Sequence, residues 1–254
     1  MTIPVAEAPA PHAAPPPPPQ QPLMSRVADT FFSPGKVFEG FREGKAPWLG
    51  PVLVSIAVMI VIFAVRPLFI SNQQMAEFSI EKMREMGAQQ IPTTEEMAGR
   101  MTIQTVIGGV FTVAWLFMRV GLVGLILFGI YALALGGRND IRPYMAVTSH
   151  AFLVSTLGFL VLAALQYATG RLDLTLDAAL LMPGADPDGL LVKILHGITP
   201  FVLWLVALLA LGGATINRRK GWLGVAGLLF SLYMVMVTCF ALVMQMVAGR
   251  AAAS

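Results

Sequence analysis

Apolar and polar positions along this chain are not interleaved at short range but sorted into blocks. Five apolar blocks cover about 48–69, 102–135, 144–168, 190–216 and 222–247, and none carries Asp or Glu in its interior. Each is long enough to cross a hydrocarbon layer of roughly 30 Å at 1.5 Å per residue. The pattern predicts an all-α polytopic membrane bundle of five transmembrane helices occupying residues 48–248. Pro200 and the scattered glycines do not oppose this, because neighbouring helices take up the backbone groups that such residues free.

Two segments precede the first block. Residues 1–24 are proline-rich, with an unbroken run from Pro15 to Pro19. They lack both the basic start and the apolar core of a signal peptide. A disordered or polyproline II tail is expected there, acting either as a solvated tether or as a docking peptide for a proline-reading partner. Residues 25–47 form an amphipathic juxtamembrane segment. Ser33 followed by Pro34 is a helix start, and Gly44 a stop. Val37, Phe38 and Phe41 then share one face, away from Glu39, Arg42 and Glu43. A short interfacial helix is expected, its apolar side turned either to lipid or to the underside of the bundle.

Composition agrees with the blocks: 56% of the 254 residues are hydrophobic and 12% charged, about half the usual charged share of a soluble domain. The formal net charge of +3 is too small to point to nucleic acid. Its placement is more informative. Arg26, Lys36, Arg42, Lys45, Arg138, Arg142, Arg218, Arg219 and Lys220 fall in the N-terminal segment and the second and fourth connections. The facing connections hold only Lys82, Arg84, Arg100 and Arg171. By the positive-inside rule the N-terminus is cytoplasmic and the C-terminus outside. Short loops and a basic pI of about 9.2 are compatible with a bacterial inner membrane.

The polar residues inside the blocks are the candidates for chemistry. Arg119 interrupts an apolar run, and a charge within a span is a functional hypothesis by default. Counted back from Gly136 it lies roughly 25 Å away, near the outer interface, where an arginine can snorkel; a buried polar contact is the other reading. His150 belongs to a polar cluster with Thr148, Ser149, Ser155 and Thr156, suited to bonding between helices. Lys193, His196 and Pro200 share a face of the fourth block, either lining an outward cavity or lying above the lipid. No two histidines have the i, i+3 or i, i+4 spacing of a metal pair, and Cys239 is the single cysteine, so neither metal nor cofactor is expected. The chain also lacks HExxH, GxSxG and phosphate-loop motifs. Enzymatic activity is therefore not expected.

The order of these features resembles the Yip family (Ypt/Rab-interacting proteins). The block SPGKVFEGFREGKAPWLGPVLV is similar to its juxtamembrane helix and first span, through Pro34, Val37, Phe38, Trp48 and Pro51. LGGRNDIRPYMAVTSHAFLVSTLG is similar to its second cytoplasmic turn and third span, with Gly136 and Gly137 ending a helix. ITPFVLWLVALLALGGATINRRKG resembles its penultimate helix and basic turn. Thr199 and Pro200 depart from the bacterial pattern, and the proline-rich tail is not shared. The resemblance implies a non-enzymatic membrane scaffold or adaptor, contacting lipids and, through its N-terminal region, a protein partner. The alternative is a small-solute transporter or channel subunit with a polar path through Arg119, His150, Lys193 and His196.

Overall fold

A computed structural model describes residues 21–43, 46–85, 88, 90–186 and 189–253. Most of the expected tail, residues 1–20, lies outside the described residues, as does Lys45. The regular structure among the described residues is helical throughout.

The N-terminal segment holds two helices where the sequence predicted one: α1, Leu23–Phe32, and α2, Pro34–Glu43. Ser33 joins them, its N–H donating to the Asp29 carbonyl (2.7 Å). Pro34 opens α2, where its missing N–H costs nothing. The exposure of Val37, Phe38 and Phe41 is 2, 0 and 2%, which decides between the two placements of this helix. Its apolar face packs against the bundle, on α6 and α8, rather than lying on lipid.

The first span is α3, Leu49–Val65, extended by a 3₁₀ turn at Arg66–Leu68. A polar helix, α4 (Asn72–Glu85), then pairs with the start of α5 (Thr94–Phe128) through Ala76, Ile80, Met97 and Met101. Thr93 and Glu96 cap α5 reciprocally (3.1 and 3.3 Å), satisfying two of its orphan N–H groups. Without a break α5 passes into a π-helical turn, Gly129–Ala134. The central helix is α6, Ile141–Thr169, which packs on α1, α2, α3, α5 and α8. It is the most buried of the long helices, 33% of its most apolar window being enclosed by protein.

Among the described residues, four helical stretches are long and apolar enough to span a membrane: Leu49–Leu68, Ile103–Ala134, Ile141–Thr169 and Leu223–Met246. The last lies in α9, Leu223–Ala253. The remaining block, 190–216, is not the continuous span that the sequence predicted. It divides into α7 (Leu190–Leu195) and α8 (Pro200–Ile216). Thr199 explains the division: its hydroxyl accepts the Val202 N–H (3.1 Å), and Pro200 occupies the first helical position, so the pair starts a helix instead of being carried inside one. At 17 residues α8 measures about 25 Å.

The helices are staggered. Thr156 of α6 donates to Ser55 of α3 (2.8 Å), and Tyr167 of α6 donates to the Ile62 carbonyl (3.0 Å). Ser55 lies near the start of α3, whereas Thr156 is half-way along α6, so α6 begins roughly 13 Å below the first turn of α3.

Candidate functional site

The densest polar structure lies where the basic connections meet. Gly136 (φ +65°) adopts the left-handed conformation that ends the π-helical turn. Gly137 follows so close to Asn217 and the Tyr131 carbonyl that a Cβ would overlap them. Asn217 Oδ1 accepts from the Arg138 N–H (2.7 Å) and the Tyr144 hydroxyl (3.1 Å), while its Nδ2 donates to the Gly213 carbonyl (2.7 Å). Arg138 reaches on to the Arg42 carbonyl at the end of α2 (2.7 Å), and Arg219 donates to the Leu135 carbonyl. One layer further into the bundle the Tyr131 hydroxyl donates to the Ala210 carbonyl (2.7 Å). One amide thus ties together the turn after α5, α6 and the end of α8, and Arg138 extends the tie to α2. Asn217→Ala strands these partners, and the melting point of the detergent-solubilised protein should fall by the equivalent of about 1–3 kcal/mol. Asn217→Asp, which keeps the acceptor, should lose less; an unchanged alanine variant would refute the latch.

Asn217 and the two tyrosines were not singled out from the sequence. An Asn before Arg218 and Arg219 reads as part of a solvated turn, and a Tyr at the end of an apolar block as an interface residue. Among the resemblance residues, Pro34 opens α2, Phe38 fills the gap between α6 and α8, Trp48 precedes α3 and Pro51 is buried in its first turn. All lie within reach of this end.

The intramembrane polar candidates lie elsewhere. His150 is fully buried, with Phe41 of α2 against its ring (4.8 Å). Its Nδ1 lies 2.7 Å from the Ala146 carbonyl, which assigns the proton to that nitrogen, and Nε2 has no partner among the described residues. Arg119 lies with its guanidinium over the Phe152 ring (5.0 Å) and within electrostatic reach of Tyr233. Its near neighbour Phe117 meets Trp48 edge-on (6.5 Å). That contact sets Arg119 level with the first turn of α3, at the other end of that helix from Arg66. The α5 helix is long enough that the count back from Gly136 does not by itself fix Arg119 against the first span.

His196 and Lys193 are at the opposite end. His196 Nδ1 is 2.8 Å from the largely buried carboxylate of Asp177, which also caps Ala179 (3.0 Å). Lys193 is half-buried on α7. In the same loop the hydrogen bond from Arg171 (2.7 Å) draws the Asp173 carboxyl below its ordinary range, and burial lowers the Arg26 guanidinium on α1. Among the described residues no three of His, Cys, Asp and Glu gather where a metal ion could be held.

The family model described as the Yip1 domain matches residues 28–243. The chain belongs to the Yip1 domain family. The match begins within α1 and ends within α9, so the Yip1 domain here takes in the latch, the docked α2 and every helix of the bundle. Comparison with curated proteins and with solved structures gave no match.

Proposed function

We propose that this Yip1 domain is a non-enzymatic membrane scaffold that holds its N-terminal segment against the cytoplasmic end of the bundle. The observation that carries the reading is the separation of the four polar candidates. A solute path needs groups that converge, yet Arg119 stacks on Phe152, His150 is closed off behind Phe41, and Lys193 on α7 and His196 just after it lie at the far end. The bundle is instead organised around fixing α2 and the two basic turns to one another.

The scaffold reading is tested by comparing the proteins captured by the full chain and by a chain lacking residues 1–20. A partner retained by the first and lost by the second is expected; identical capture overturns recruitment through the tail. A deletion to residue 45 is unsuitable, since it also removes the buried Phe38 and Phe41. The proposed orientation has its own test. A reporter fused after Ser254 should signal from the non-cytoplasmic side, and a cytoplasmic signal there would sink the five-span count.

A further inference from the structure

The offset between α3 and α6 leaves a notch of about 610 Å³ beneath the first turn of α3, lined by Ala46–Gly50 on one side and Arg138, Asp140, Arg142 and Pro143 on the other. We propose that this notch holds the phosphate of an anionic phospholipid whose acyl chains run up the lipid-facing side of α3. The inference requires only that the bundle be embedded in a membrane, and it stands apart from the scaffold reading.

Charge is the first reason. The Arg142 side chain is exposed and makes no ion pair or hydrogen bond with any described residue. Arg138 uses one nitrogen on the Arg42 carbonyl and has another 3.7 Å from Asp140. Asp140 is the one acid in the lining, and its carboxylate is already engaged, accepting from the Arg142 backbone N–H (3.1 Å) and facing Arg138. Two guanidinium groups against one committed carboxylate leave a net positive notch. A guanidinium presents a planar fork of donors that matches two phosphate oxygens.

The rest of the lining separates a lipid from a soluble anion. Ala46, Pro47, Trp48, Leu49 and Pro143 make more than half of the wall apolar. Leu49 and Leu53 continue that surface up α3, 48 and 58% exposed. Trp48 stands at the junction, an amphipathic ring suited to the headgroup boundary. A ligand filling both parts carries a phosphate at one end and hydrocarbon at the other. Basic pockets between transmembrane helices bind anionic headgroups by this combination.

The test uses the full chain in detergent, with phosphatidylglycerol, phosphatidylcholine and inorganic phosphate as separate probes, and native mass spectrometry to count bound lipid. Phosphatidylglycerol should be retained in preference to phosphatidylcholine. Arg142→Gln should weaken that retention about fivefold, the share expected of one arginine near an anionic surface. Arg142→Lys should weaken it less, and Arg171→Gln, at the far end, should leave it unchanged. Because Arg142 is exposed and unpaired, its variants should melt like the parent when no lipid is added. Equal retention of the two lipids, an unaltered Arg142→Gln variant, or displacement of the lipid by an excess of inorganic phosphate would each overturn the proposal.

Discussion

Gly213→Leu should prevent the bundle from assembling, and even Gly213→Ala should destabilise it by about 2–3 kcal/mol. The cause is local. A Cβ at Gly213 would overlap the Tyr131 ring, itself fully buried and fixed by its bond to the Ala210 carbonyl (2.7 Å). Next to it, a Cβ on Gly212 would overlap Val147 of α6 and lie 3.2 Å from the Phe38 ring. Without a hydrophobic drive between helices in lipid, close backbone approach at small residues is what holds such an interface. Gly121→Ala is the control, since nothing stands within 4 Å of its Cβ position. Thermal unfolding in detergent, followed by circular dichroism, should separate the two alanine variants. Equal melting points would mean that the contact between α8 and the π-helical turn is looser than described.

Phe38→Ala should cost about 3–5 kcal/mol and release α1 and α2 from the bundle. Phe38 is fully buried beside Gly212 of α8, where Val147 of α6 also packs, while Phe41, one turn on, covers His150. Limited proteolysis gives the second readout: cleavage between residues 22 and 45 should become fast in Phe38→Ala while α6 and α8 stay protected. Slow cleavage in a destabilised variant would show that the N-terminal helices are held by something other than this wedge. Phe32→Ala is the comparison, as that ring is 86% exposed at the turn between the two helices.

The membrane blocks were legible because period and length alone identify them. Where the sequence misled, the error lay in treating each block as independent. The 190–216 block has the composition of a span, but whether Thr199 and Pro200 interrupt a helix or begin one depends on what packs around them, and composition carries no such information. The apolar face of α2 was evident, whereas its partner was not: Val37, Phe38 and Phe41 suit lipid and protein equally well. The level of Arg119 was not legible, since a long apolar helix has no internal mark of where its neighbours begin; only the Phe117–Trp48 contact sets it beside the first turn of α3. Asn217 shows a different limit. Its role comes from groups far away in sequence, Tyr144, Arg138 and Gly213, which only the fold brings to it.

The unbroken course of α5 has a mechanical consequence. Capped by Thr93 at one end, it continues through the π-helical turn to Ala134, about 60 Å in all. A rod of this kind transmits displacement along its axis with little loss. Its far end carries α4 through the methionine and isoleucine contacts, and its near end carries Tyr131 into the layer beneath Asn217. A pull on the α4 hairpin would therefore be carried along α5 to the π-helical turn, the place where the rod can bend and where Tyr131 bears on α8.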